Sequence, residues 1–220
     1  MTFRAATTVI ALLCCTPAFG QRTPQSPPVE FRPFALLTAE RFSASTTFDA
    51  LFGSTLQPFW GGGVDVTTRR NMFVDLVVSH MGAAGERAFL NDGQVFRLGI
   101  PLHATLTPIE LTAGYRFRRL DRRRRPRRIT PFLGGGVGWY LYRETSDFAA
   151  AGEDIDATHA GLVALGGAEF RVTKWIGIMG DVQYTYIPGI IGGNTASVAA
   201  VAGESDLGGI AARLRVVFGR

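Results

Sequence analysis

In the stretch Pro108-Ile109-Glu110-Leu111-Thr112-Ala113-Gly114-Tyr115-Arg116-Phe117, the odd positions from Ile109 onward are apolar or aromatic and the even ones small, polar or charged. Successive side chains of a strand point to opposite faces, so this period of two predicts a strand wet on one face only. The same alternation recurs on either side. Met72, Val74, Leu76 and Val78 oppose Phe73, Asp75, Val77 and Ser79, and Trp60, Val64 and Val66 oppose Gly61, Gly63 and Asp65. Further on, Ile176, Ile178, Val182, Tyr184 and Tyr186 oppose Met179, Asp181, Gln183 and Thr185, while Ile210, Ala212, Leu214, Val216 and Phe218 oppose Arg213 and Arg215. Segments 34–43, 131–142 and 160–173 complete a set of about eight strands.

The joints between these strands fall into two kinds. Segments 67–71, with Arg69 and Arg70, 118–128, and 172–175 around Lys174 are short or basic; segments 44–57, 82–99, 144–159 and 188–206 are long. In chain order they run long, short, long, short, long, short, long. An all-β, eight-stranded antiparallel up-and-down barrel with both termini at the short-turn end produces that order, and membrane-spanning barrels pair short periplasmic turns with long outer loops. The polar face supports lipid outside rather than water. It carries Asp65, Asp75, Glu110, Glu169 and Asp181 against Arg116, Arg171, Arg213 and Arg215, separated by Gly, Thr, Ser and Gln. Five acids to four bases suit a paired network filling a lumen, because buried charges persist only when matched. A soluble barrel would instead wear many solvated Lys and Glu on that face.

Composition agrees. The 220 residues are 46% hydrophobic and 19% charged, which excludes disorder as a global description. All but one of the 23 basic residues are Arg, Lys174 being the exception, so the cations favour forked pairing with carboxylate or phosphate. Residues 1–20 read as a secretory signal peptide: Arg4 is the only charge, Val9 to Cys15 is apolar, and Ala18-Phe19-Gly20 puts small residues at the cleavage site. Cleavage there would remove Cys14 and Cys15, leaving no thiol chemistry. The residues before these two cysteines are Leu and Cys, not the small residue a lipid-bearing cysteine wants. Residues 21–33 are rich in Pro and are expected to form an extended linker, with the barrel over 34–220.

With these features the chain resembles the small outer-membrane β-barrels of Gram-negative bacteria, the class of the OmpA membrane domain and the OmpX- and OmpW-like proteins. The resemblance rests on the signal peptide, the amphipathic strands, the loop alternation, the last strand Leu214-Arg215-Val216-Val217-Phe218, and aromatics near strand ends: Trp60, Tyr115, Phe117, Trp139, Tyr140, Tyr142, Trp175, Tyr184 and Tyr186. It implies residence in the outer membrane lipid and insertion by the barrel-insertion machinery acting on the C-terminal strand, here followed by Gly219 and Arg220. The class is united by pattern and not by a catalytic motif.

Chemistry-bearing motifs are weak by comparison. Ser79 beside His80 hints at an acyl hydrolase, yet adjacent strand residues face opposite ways. His159 with Glu153, Asp154 and Asp156 offers oxygen ligands for a cation, but an acidic loop is more often simply solvated. Pro58-Phe59-Trp60-Gly61-Gly62-Gly63-Val64 and Pro131-Phe132-Leu133-Gly134-Gly135-Gly136-Val137 lack the Lys-Ser/Thr of a phosphate loop, and inward Gly makes room for side chains crossing an interior. The basic joint contains Arg118, Arg119, Arg122, Arg123, Arg124, Arg125, Arg127 and Arg128. Behind a signal peptide it points to anionic lipid or cell-wall polymer on the periplasmic side, not to nucleic acid, the alternative being a solvated turn with no dedicated partner. No catalytic residue, cofactor or metal site is expected. Three functions compete: a structural or interaction scaffold, a narrow conduit for small or apolar solutes, and a lipid-modifying enzyme.

Overall fold

The structure, a computed structural model, describes residues 29–91, 94–117, 128–146, 155–189, 191 and 198–219. Eight strands follow in order: β1 (Val29–Phe42), β2 (Leu56–Thr68), β3 (Met72–Asn91), β4 (Gln94–Arg116), β5 (Ile129–Thr145), β6 (Ile155–Arg171), β7 (Ile176–Tyr186) and β8 (Gly209–Phe218). Helix α1 (Ser45–Phe52) lies between β1 and β2, and helix α2 (Val198–Ala202) between β7 and β8. Each strand pairs antiparallel with the next, and β1 pairs with β8 from Phe34↔Val217 to Phe42↔Gly209. The sheet therefore closes on itself and has no edge.

Alternation assigns the two faces as read from the sequence. Leu37, Leu133, Leu162 and Val182 are each about 60% exposed on the outside, together with Val74, Leu76, Leu111, Tyr115, Ile178 and Leu214. So broad an apolar exterior is costly in water and at rest in hydrocarbon, where a closed barrel also satisfies every backbone group of its ladders. The belt at the end bearing the termini holds Tyr115, Phe117, Phe170 and Trp175, and that at the other Trp60, Trp139, Tyr184 and Tyr186. Tyr140 and Tyr142 do not belong to a belt. They occupy even positions of β5, whose even side chains point inward, and both are buried.

Several boundaries differ from the sequence reading. Val29 to Pro33 are strand, not linker; Pro33 pairs with Val64 of β2 just before the β8 ladder starts at Phe34, a place where β1 is paired on one side and proline is tolerated. The expected loop 82–99 is instead a long β3–β4 hairpin, paired out to Asn91↔Gln94 with a register shift between Glu86 and Ala88. Its alternation is hidden by Gly82-Ala83-Ala84-Gly85, whose small side chains carry no hydrophobic signal. Of the loop expected at 144–159, Glu144 and Thr145 belong to β5 and Ile155 to His159 to β6, and the joints 44–57 and 188–206 carry the two helices. Residues 1–28, and with them the expected signal peptide and most of the expected linker, lie outside the described residues.

An arginine at mid-depth on the lipid face should destabilise the barrel by about 2 to 4 kcal/mol. Unfolding of Leu111→Arg and Val182→Arg in urea from lipid vesicles is expected to show this loss, and Trp139→Arg, nearer an interface, a smaller one.

Candidate functional site

Inside the barrel the charged side chains meet in two groups. Toward the end bearing the termini, Arg32 of β1 donates from Nε to Asp65 Oδ1 of β2 at 2.9 Å and from Nη1 to Glu169 Oε1 of β6 at 2.8 Å. Arg116 of β4 bridges the same two carboxylates, through Asp65 Oδ2 and Glu169 Oε2. The Thr67 hydroxyl donates to Asp65 Oδ1 at 3.0 Å. Two guanidiniums and two carboxylates from four strands thus form a closed ring across the lumen, the charge-assisted, bidentate arrangement in which buried ions are tolerated.

The second group lies deeper. Arg215 donates from Nη1 to Asp75 Oδ2 at 2.6 Å and its Nε lies 3.1 Å from Asp181 Oδ2, so it joins β8 to β3 and β7. Arg213 donates from Nε to Asp181 Oδ1 at 2.6 Å and reaches Glu110 Oε2 at 3.4 Å. Glu110 Oε1 also accepts from the Tyr140 hydroxyl at 3.0 Å and from Gln183 Nε2 at 2.9 Å. Of the sequence-predicted set, Asp65, Asp75, Glu110, Arg116, Glu169, Asp181, Arg213 and Arg215 are brought together in the buried interior. Arg171 is not. As the last residue of β6 it stands at the rim with its side chain 36% exposed, touching Glu169 at 3.3 Å.

Small residues make these positions possible. A Cβ at Gly63 would lie 2.7 Å from the Phe34 ring, and one at Gly114 2.6 Å from the Phe73 ring. The rings that fill those spaces carry guanidiniums above them, Arg215 5.2 Å from the Phe34 centroid and Arg116 5.2 Å from that of Phe73. Glycine admits a ring, and the ring seats the cation. Of the inward glycines expected to accommodate crossing side chains, Gly63 faces the Phe34 ring and Gly134 the Phe73 ring, while Gly61 and Gly136 face the backbone of the neighbouring strand.

Above the charges the other end is covered by an apolar lid. Phe48 of α1 stacks on Phe42 at 4.0 Å between centroids, with Phe59, Met81, Leu106, Ile187 and Leu207 buried in the same cluster. Ala44, at the N-terminal cap of α1, has no side chain to cap it. Glu204, beyond α2, supplies the missing acceptor: Oε1 receives Thr46 N–H at 2.9 Å, and Oε2 receives Thr47 N–H at 2.9 Å and the Thr47 hydroxyl at 2.7 Å. A carboxylate from one loop thereby clamps the helix of another.

Sequence reasoning missed Arg32, buried Glu40, Tyr140 and Glu204. Arg32 had a signal in the alternation Phe31-Arg32-Pro33-Phe34, overridden by the prolines around it. Ser79 faces inward and His80 outward, where it packs edge-on against Trp60, so the two cannot act as a nucleophile and base. Glu153 and Asp154 lie outside the described residues; Asp156 points outward on β6 and pairs with Arg143, on the face opposite His159. Among the described residues no group of His, Cys, Asp or Glu has the arrangement of a metal site. Of the basic joint, Arg118 to Arg127 lie outside the described residues, and Arg128 is exposed.

No protein-family model matches the chain, and no curated protein matches it. Solved structures match by shape. A major outer membrane protein from Thermus thermophilus superposes with a TM-score of 0.57 at 11% identity, covering 87% of this chain and 99% of that one. The N-terminal β-barrel domain of Pseudomonas aeruginosa OprF gives 0.48 at 12% identity, covering 86% and 97%, and Neisserial surface protein A gives 0.46 at 17%, covering 86% and 96%. At these identities the likeness is one of fold, that of the small closed outer-membrane barrels.

The interior and its lid can each be tested. Asp65→Asn leaves two buried guanidiniums to share the single carboxylate of Glu169 and should destabilise the protein by about 3 to 5 kcal/mol, while Arg171→Ala at the rim should change stability by about 0 to 1 kcal/mol; urea titrations of the vesicle-inserted proteins compare them. At the lid, burial raises the affinity of Glu204 for a proton, but the Thr47 hydroxyl and the Thr46 and Thr47 N–H groups outweigh it and hold the carboxyl below the usual range. A depressed folded value means the clamp is complete at neutral pH and is lost as the pH falls through that value. Hydrogen-exchange protection of Thr46 and Thr47, corrected for intrinsic rates, is expected to fall on acidification in the unmodified protein, and to be low at neutral pH already in Glu204→Ala.

Proposed function

We propose that the chain is a non-enzymatic outer-membrane barrel acting as a structural or interaction scaffold. The observation that carries this reading is the obstruction of the lumen in series, first by the Arg32–Asp65–Arg116–Glu169 ring, then by the Arg213 and Arg215 pairs, then by α1 over the mouth. Eight strands enclose an interior that side chains fill, and here the filling is cross-linked by charge. The apolar exterior, the likeness in fold to outer-membrane barrels and the signal-like residues 1–20 together support export and residence in that membrane.

In such a barrel the end with both termini and the basic joints faces the periplasm, and α1, α2 and the long β3–β4 hairpin face outward. The outer elements are then the surfaces offered to partners, while the basic joint 118–128 meets anionic lipid or cell-wall polymer, and the last strand meets the insertion machinery. The narrow conduit is the alternative. Planar-bilayer recording tests between them: the scaffold reading expects no steady channel from the unmodified protein, and a large, sustained conductance would establish the conduit in its place.

A further inference from the structure

The end of the barrel that carries the termini is basic at every joint. Across residues 67–71, 117–128 and 171–175 the sequence has twelve bases and a single acid, Asp121. Among the described residues, Arg69, Arg70, Arg128 and Lys174 are exposed and Arg171 is half-buried. Arg171 of this rim also touches Glu169 at 3.3 Å, and at the opposite end the charges are mixed in sign, where Arg143 pairs with Asp156 at 3.2 Å and Arg97 donates to the Asp49 carbonyl at 3.3 Å. Even with Glu30 at the start of β1 counted on the same rim, bases outnumber acids there, so the net positive field belongs to this rim.

How far this rim reaches from the bilayer discriminates between its partners. Three residues separate β2 from β3, four separate β6 from β7, and Arg128 directly precedes β5, so Arg69, Arg70, Arg128, Arg171 and Lys174 stand within a few positions of lipid-facing Met72, Ile129, Phe170 and Trp175. At about 3.3 Å per residue that is roughly 7 Å, the depth of a headgroup layer and not of a polymer lying beyond it. Lys174 Nζ lies 5.7 Å from the centroid of the Trp175 ring, an ammonium held against an interfacial aromatic. Arginine adds a planar fork that matches phosphate oxygens in pairs.

We propose that this rim, formed by Arg69, Arg70, Arg128, Arg171 and Lys174, is a binding surface for the phosphate headgroups of anionic glycerophospholipids in the adjoining leaflet, which it concentrates around the barrel. The inference rests on the reading of the chain as a membrane barrel and replaces the choice between lipid and cell wall with lipid.

The three tryptophans allow a test on the full barrel. A variant keeping only Trp175 (Trp60→Phe, Trp139→Phe) and one keeping only Trp60 (Trp139→Phe, Trp175→Phe) are reconstituted in vesicles of equal parts phosphatidylcholine and phosphatidylglycerol, with one lipid or the other brominated near its headgroup. Trp175 should report about threefold or greater enrichment of the anionic lipid, falling to parity in 1 M salt, where the screening length is about 3 Å; Trp60 should report no enrichment. Arg69→Ser/Arg70→Ser/Lys174→Ser should abolish the preference at Trp175, whereas Arg41→Ser/Arg143→Ser at the other end should leave it intact. Equal quenching of Trp175 by the two lipids would overturn the proposal while leaving the membrane reading in place. So would salt-sensitive binding of purified cell-wall sacculi by the detergent-solubilised protein combined with no lipid preference. Failure of either lipid to quench Trp175 or Trp60 would overturn the membrane reading and this proposal together.

Discussion

Pairing of charge across the lumen is the constraint on which the other features turn. A barrel with hydrocarbon outside cannot expel its ionised side chains laterally, and eight strands leave too little interior for a water column to solvate them. Arg32 and Arg116 against Asp65 and Glu169, and Arg213 and Arg215 against Asp75, Asp181 and Glu110, offset one another's charge instead. Where the partners come from strands far apart in sequence, as in Arg32–Glu169 and Arg215–Asp75, the pair also fixes the position of one wall relative to another.

The same constraint explains the composition of the inner face. Guanidiniums need seats, the seats are Phe34 and Phe73, and those rings need the space that Gly63 and Gly114 leave. In each of the two glycine runs one residue, Gly63 or Gly134, is thus part of charge placement. Nearer the lid the demand changes. Phe42, Phe48, Phe59 and Leu106 exclude water from the top of the network, and the clamp at Glu204 keeps that apolar layer in place from the side of another loop.

Much of the fold was legible because it is written in period two. Asp75, Glu110, Arg116, Asp181, Arg213 and Arg215 were assigned to one face by parity, and that is the face on which they meet. What parity cannot convey is which acid meets which base. The pairs Arg32–Glu169 and Arg215–Asp75 join residues 137 and 140 positions apart and depend on tilt and closure. Arg32 itself escaped because prolines dominate its neighbourhood, and the β3–β4 extension because Gly and Ala carry no amphipathic signal. Tyr140 shows the complementary error: an aromatic near a strand end has the composition of a belt residue, but its even position in β5 turns it inward to Glu110. Glu204 left no local trace, since the groups it caps lie 157 and 158 residues away.

The distribution of the pairs bears on the order in which the molecule can be assembled. Two of them are internal to the first and last hairpins: Arg32 with Asp65 in β1–β2, and Arg213 with Asp181 in β7–β8. These hairpins flank the seam where the first strand meets the last, β1 with β8. Each therefore reaches the hydrocarbon with one guanidinium already neutralised by its own partner. The middle strands contribute Asp75, Glu110, Arg116 and Glu169, whose partners in this network lie mostly on other hairpins. For them neutralisation waits on ring closure, so a half-built barrel would hold unmatched charge against lipid and the finished one would not. Closing the seam is then an electrostatic event as well as a hydrogen-bonding one, which favours an assembly that completes the ring in concert over one that adds hairpins to the membrane singly.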